Sequence, residues 1–240
     1  MTGIRALILD KDGTLFPYSV WAGPIRRCLE DNLPIGKRRN REEIVNAFLS
    51  VLSIEDGTVK SDSLLYDRRK RIKGILRLAA LTVKYHLRPI AAAKGFLRIK
   101  RRSQYGFRED LSKYDLTPVR KTLEALKEKG MILALFSNDS PHSVSIVMDV
   151  LSPFEFDYYV DSSSRLRKPN PYAVRVFAEL NGLRADEVAL LSDTTEDLVM
   201  ARKAGCGKVI AISGSLDEKT LSAYSDRVIH SFEEILSVID

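Results

Sequence analysis

From about Lys113 onward the sequence alternates short apolar runs with helical stretches, and this pattern constrains the fold more than any other feature. "MILALFSND", "FDYYVDSS", "VALLSD" and "KVIAIS" are too short for helices and read as strands. Between them, Val119, Leu123 and Leu126 share a helical face. So do Val144, Val147, Met148 and Leu151 on the next stretch. Thr117-Pro118, Ser140-Pro141 and Asn170-Pro171 each set a capping residue before a proline, a favourable helix start, and Ser231-Phe232-Glu233-Glu234 reads as a capping box for a last helix. Gly130, Gly182 and Gly205 stand where three helices should stop. Short apolar strands separated by helices imply a mostly parallel sheet covered on both faces. In such sheets ligands bind beyond the carboxyl ends of the strands, so the polar residues ending each strand are the ones to weigh.

The first strand supplies the sharpest case. "ALILDKDGTLF", Ala6 to Phe16, runs apolar and then stops in Asp10 and Asp12, one residue apart, with Gly13 next. Carboxylates at the end of a buried strand are costly unless a cation meets them. A metal ion, a nearby lysine, or a plain surface turn would each resolve the cost.

Between Tyr18 and Asp110 the alternation is lost. Asn40-Arg41-Glu42-Glu43 reads as a capping box leading to Ile44, Phe48, Val51 and Leu52 at helical spacing. "IEDGTVKSDS" reads as a loop, Leu64 to Leu87 as a long helix, and Pro89 as the start of another running toward Arg102. Residues 17–112 are therefore expected to form an all-α domain inserted into a core made of residues 1–16 and 113–240. Charge separates the two parts: Phe16 to Ser112 holds 21 Lys and Arg against 10 Asp and Glu, whereas the remainder holds 17 against 22. Arg68-Arg69-Lys70-Arg71 and Lys100-Arg101-Arg102 are the densest basic clusters. They read first as a solvated helix face; a strongly anionic substrate, nucleic acid or an acidic membrane surface are the sharper readings. Aromatic residues are sparse among them, so base stacking has little support.

With 45% hydrophobic and 29% charged residues, 240 residues can bury a sizeable core. Cys28 and Cys206 make no metal or redox spacing. The apolar run from Arg5 to Asp10 is too short for a signal peptide, and no run approaches the ~20 residues of a membrane span. A cytoplasmic protein without a membrane span is expected.

Four strand ends or adjoining loops carry chemistry-bearing residues: Asp10 and Asp12; Ser137 and Asn138; Lys168 in "RLRKPNP"; and Asp193 with Asp197 in "LSDTTED". Singly these are a turn, a helix start, a solvated lysine and a cap. At one edge of one sheet they would crowd three or four carboxylates, a hydroxyl and an ammonium into a shared cleft. Carboxylates so crowded favour a divalent cation, and an all-oxygen set points to Mg²⁺.

The ordered set resembles the haloacid dehalogenase superfamily, in its small-molecule, phosphoglycolate phosphatase-like branch. Asp10-Lys11-Asp12-Gly13-Thr14-Leu15 matches the first motif, Ser137 the second, Lys168 the third, and Asp193 with Asp197 the fourth. One position departs, since Ser192 stands where glycine is usual before the fourth-motif Asp. Asp56-Gly57-Thr58 follows no strand and reads as a turn. The resemblance implies a Rossmann-like α/β core with an inserted helical cap, and Mg²⁺-dependent hydrolysis of a small phosphorylated metabolite. In it Asp10 is the nucleophile that forms an aspartyl-phosphate, and Asp12 the general acid and base whose backbone carbonyl also touches the metal. Gly13, Ser137, Asn138 and Lys168 hold phosphate oxygens, Asp193 ligates Mg²⁺, and Asp197 supports from behind. An Asp at position 12 argues against a dehalogenase. A phosphomutase of the same superfamily remains the enzymatic alternative, and a nucleic-acid-binding protein on a disused phosphatase core is a more remote one.

Overall fold

The structure, a computed structural model, describes residues 3–36, 39–55, 58–59, 71–95, 107–109, 111–214 and 216–239. The chain divides into two compact units, Met1–Pro17 with Asp115–Asp240, and Tyr18–Tyr114. The strands in chain order are β1 (Ala6–Asp10), β2 (Ile54–Glu55), β3 (Thr58–Val59), β4 (Ile132–Phe136), β5 (Tyr158–Val160), β6 (Val188–Ser192), β7 (Lys208–Ile212) and β8 (Arg227–Ile229).

The first unit is built on a six-stranded sheet of order β5-β4-β1-β6-β7-β8, with every pair parallel. Alternate side chains of a strand point to opposite faces. Ala6, Ile8, Ala134, Phe136, Val188, Leu190, Val209 and Ala211 pack with Val174 and Phe177 of the helix Pro171–Leu180 and Leu198 and Ala201 of the helix Thr195–Ala204. The opposite parity, Leu7, Leu9, Leu133, Leu135, Ala189, Leu191 and Ile210, is equally buried. Both faces are therefore covered, which is why these strands read as continuous apolar runs.

Local capping is partly as the sequence suggests. Ser140 accepts from the Ser143 N–H at 3.3 Å and Asn170 from the Tyr172 N–H at 3.0 Å. Thr117 differs: Leu116 precedes the helix Thr117–Glu128, and it is Asp115 Oδ1 that accepts from the Thr117 N–H, at 2.9 Å. The expected box at Ser231 is not made either. A 3₁₀ turn, Phe232–Glu234, comes first, and Glu234 reaches the His230 N–H instead. The short strand β8 and the helix Glu218–Ser222 escaped the sequence reading, because three and five residues are too few to show a period.

The second unit holds the helices Ala22–Asn32, Arg41–Val51 and Arg71–Lys84, with residues 89–95 also helical. Its core gathers Ile25, Leu29, Ile44, Phe48, Leu49 and Leu87, and Tyr85 donates its hydroxyl hydrogen to Glu43 Oε1 at 3.0 Å. Asn40 precedes its helix without a side-chain cap bond. The stretch read as a loop contains a two-residue antiparallel ladder, in which Ile54 pairs with Val59 and Glu55 with Thr58. The helix expected to reach Leu87 stops at Lys84, where Leu87 N–H turns back to the Thr82 carbonyl. Residues 64–70 and 96–102 lie outside the described residues, as do Asp56 and Gly57. So do Arg68, Arg69, Lys70, the side chain of Arg71, and Lys100, Arg101 and Arg102.

Candidate active site

Sheet register decides which residues share an edge. Asp10 pairs with Phe136 across β1 and β4, and Leu9 with Leu191 across β1 and β6. Ser137 and Ser192-Asp193 therefore emerge beside Asp10, at the carboxyl ends of three adjacent central strands.

Lys168 binds two of the carboxylates gathered there. Its Nζ lies 2.6 Å from Asp10 Oδ1 and 2.6 Å from Asp197 Oδ2, with all three side chains buried. Burial would strip a proton from this lysine, but the two carboxylates more than offset that and hold its pKa well above the ordinary value. The Asp10 pKa is raised too, which for a carboxyl favours the neutral form. Burial is the main cause, Lys168 opposes it, Asp197 and Asp12 reinforce it, and the pKa is pushed up to about 6. One ammonium does not balance the negative charge at this point. The Ser192 hydroxyl bridges the same pair, donating to Asp197 Oδ2 at 3.1 Å and reaching Asp10 Oδ2 at 3.4 Å. The residue in the place of the usual glycine is thus part of the cluster.

A second network adjoins the first. Lys11, fully buried, places Nζ 2.7 Å from Asp12 Oδ1 and 2.7 Å from Asp139 Oδ2. The Lys11 backbone N–H donates to Asp10 Oδ1 at 2.7 Å, tying the two networks together. Asp139 also accepts from the Ser143 hydroxyl at 3.0 Å, and its own N–H donates to Ser137 Oγ at 3.1 Å. Burial pushes the Asp139 carboxyl up, but Lys11 outweighs it and holds the pKa below the ordinary carboxylate value.

The turn after β1 is tight. Gly13 has φ +78°, a conformation that suits glycine, and its N–H bonds the Phe16 carbonyl at 2.7 Å. Thr14 Oγ1 is buried with no hydrogen-bond partner among the described residues. Ser137 is buried and donates its N–H to the Val160 carbonyl at 2.8 Å, whereas Asn138 and His142 are exposed. Asp193 is fully buried at the end of β6.

A family model for haloacid dehalogenase-like hydrolases matches residues 4–205. The chain belongs to that family. Among haloacid dehalogenase relatives it is 32% identical over 127 residues to a phosphoglycolate phosphatase of Vibrio vulnificus (strain YJ016), a match covering 50% of this chain and 54% of that one. The chain thus spans about half the length of this curated relative. Two crystal structures share the fold. One is a predicted phosphoglycolate phosphatase from Haemophilus somnus 129PT, with TM-score 0.62, 20% identity and all of both chains covered. The other is a haloacid dehalogenase family hydrolase from Deinococcus radiodurans R1 with bound phosphate and sodium, with TM-score 0.64, 18% identity, and 100% of this chain and 96% of that one covered.

Phosphatases of the haloacid dehalogenase family generally use a divalent cation, and the donors here fit one. The carboxylates of Asp10 and Asp193 and the backbone carbonyl of Asp12 are all hard oxygen donors, and the carboxylates of Asp10 and Asp197 share a single ammonium. Among the described residues no three His, Cys, Asp or Glu side chains form a ready cage. Mg²⁺ needs none, since it keeps waters and takes one or two carboxylates with substrate phosphate oxygens. Lys11 and Asp139 are the site residues that motif reasoning missed. The available signal was a lysine between two aspartates where a buried strand ends, a position at which the lysine itself has to find partners.

Proposed function

We propose that this chain is a Mg²⁺-dependent phosphatase that hydrolyses a phosphomonoester of a small metabolite through an aspartyl-phosphate on Asp10. The observation that carries the reading is the buried Asp10 carboxylate at the end of the central strand, 2.6 Å from Lys168. Asp10 attacks phosphorus, and the P–O bond to the leaving alcohol breaks as Asp12 supplies the proton. Water then attacks the aspartyl-phosphate while Asp12 takes back a proton, which releases inorganic phosphate and restores Asp10. Asp197 positions Lys168, at 2.6 Å, so that its charge meets the phosphate oxygens. The Ser137 hydroxyl, the Asn138 amide and the turn at Gly13 hold those oxygens. Asp10, Asp193 and the Asp12 carbonyl would hold Mg²⁺, which when bound would supply positive charge to offset the repulsion between carboxylate and phosphate.

The unit Tyr18–Tyr114 is read as the cap that selects the substrate. Phosphoglycolate is the first compound to try, because the curated relatives are named for it. Among the described residues Cys28 and Cys206 form no disulfide, which suits a reducing cytoplasm, and no helix is long and apolar enough to cross a membrane.

A panel of phosphorylated metabolites incubated with Mg²⁺, read by release of inorganic phosphate, tests the proposal. Asp10→Asn should lower turnover by about a thousandfold or more, and Asp12→Asn should let a hydroxylamine-sensitive phosphoenzyme accumulate. An isomerised phosphoester in place of inorganic phosphate would instead identify a phosphomutase. Turnover by Asp10→Asn within tenfold of the parent, with deamidation excluded, rules out the nucleophile.

A further inference from the structure

The helix Arg71–Lys84 carries two apolar faces, and only one is used inside its unit. Gly74 and Thr82 are buried and Leu78 and Leu81 half-buried, forming the inward side. On the outward side Ile72, Ile75, Leu76 and Val83 are 73%, 64%, 65% and 72% exposed. Their spacing, with Ala79 between, places them on a single stripe along the helix. Ile90, in the next helical stretch, is 74% exposed as well. Large aliphatic side chains gathered this way are unusual on a surface that meets only water.

The charged residues bordering the stripe are all basic. Lys73, Arg77 and Lys84 are exposed along one border, between the stripe and the packed face. The helix contains no acidic residue, and from Arg68 to Arg108 the sequence has fourteen Lys or Arg and no Asp or Glu. The two basic clusters expected to form a solvated face lie outside the described residues, and the described helix between them presents aliphatic side chains edged with cations.

We propose that this helix lies on an anionic lipid bilayer, its stripe sunk to the boundary between headgroups and acyl chains and its lysines and arginine among the lipid phosphates. An interfacial helix needs an apolar face and a basic border. Fourteen residues suffice for it, although they are too few to span a membrane. Long basic side chains can lay their stems along the apolar face while their charges stay in the headgroup layer. Nucleic acid would meet the same charge but leave the aliphatic stripe unused, and the helix offers no aromatic ring for stacking. A second copy of the chain would set one basic border against another.

The test is sedimentation of the full chain with phosphatidylcholine vesicles, with and without phosphatidylglycerol, at low and high salt. The parent should pellet with the anionic vesicles only, and less at high salt. The variant Ile72→Ser/Ile75→Ser/Leu76→Ser/Val83→Ser should lose at least about tenfold in partition. Lys73→Gln/Arg77→Gln/Lys84→Gln should lose about as much or more, since each basic residue near such a surface contributes about fivefold. All seven positions are exposed, so thermal unfolding midpoints should stay near the parent's. If the quadruple variant melts early, the pair Ile75→Ser/Val83→Ser replaces it, with a severalfold loss expected. Equal pelleting with neutral vesicles, no pelleting at all, or unchanged binding by the stripe variants overturns the proposal. So does DNA or RNA affinity lost with the charges but not with the stripe in the absence of vesicle binding, or a dimer in light scattering that the stripe variant dissolves.

Discussion

Lys11 and Asp139 join across the carboxyl ends of β1 and β4, Nζ to Oδ2 at 2.7 Å, beside the proposed nucleophile rather than within the catalytic set. The lysine is fully buried and also holds Asp12, so one ammonium links the first-motif turn to the start of the helix Pro141–Leu151. Removing a single partner from a buried pair leaves a charge uncompensated. Lys11→Met should therefore destabilise the fold by about 3 to 5 kcal/mol. Lys11→Met/Asp139→Asn should regain a large part of that loss. Urea unfolding of both variants and the parent measures the coupling, and additive losses would show that the pair is not a unit.

The same pair sets an acid limit. Asp139 titrates below its ordinary value of 3.8, because Lys11 outweighs the effect of burial. A carboxylate depressed in this way contributes stability that is complete above the unfolded value and is lost as pH falls through the folded one. The gap in unfolding free energy between the parent and Asp139→Asn should thus be level above about pH 5 and shrink below about pH 4. Denaturant curves across that range would expose a flat gap if the pair contributed nothing.

Lys168 holds two buried carboxylates, so its loss has two expected consequences. Lys168→Met should reduce kcat by at least about a hundredfold, since a preorganised cation is lost from the phosphate site. The variant should also gain stability relative to the parent as pH is lowered toward 4. Without the ammonium the Asp10 pKa rises further above 3.8, and a raised carboxylate costs stability as pH climbs through that window. A stability difference independent of pH between 4 and 8 would contradict the coupling.

Metal removal gives a reading that does not depend on turnover. Saturating Mg²⁺ should raise the parent's melting temperature, because a ligand that binds only the folded state stabilises it. Asp193→Asn should lose most of that rise, and chelator should abolish turnover in the parent. Ca²⁺ should support little turnover, since it prefers more ligands and looser geometry than this set offers. Full activity in excess chelator would remove the metal from the proposal.

Residue pattern made the core legible wherever an element was long enough to show a period. β1, β4, β6 and β7 are five residues each, in apolar runs that end in polar residues, so they could be read directly. β8, at three residues, had no period to read. Asp10, Lys168 and Asp197 could be assigned to one edge of the expected parallel sheet, but not the 2.6 Å contacts that join them. Lys11 has a signal in the sequence, a lysine between two aspartates at the end of a buried strand, but its partner Asp139 has none. Only the register of β1 against β4 shows it facing Asp139. The outward stripe on the helix Arg71–Lys84 was hidden for a related reason: periodicity counts apolar positions, and both faces supply them.

The parallel order β4-β1-β6 also sets a schedule. The residues that flank β1 lie more than a hundred positions later in the chain, at Ile132–Phe136 and Val188–Ser192. During synthesis the first strand waits with neither edge paired until most of the polypeptide has emerged, and the loops that must close around it are long. Asp10 and Lys168 accordingly cannot meet until at least 168 residues have been made. Acquisition of activity would then report completion of the central sheet, and a partially made chain would display an apolar strand that other partners, chaperones included, can bind.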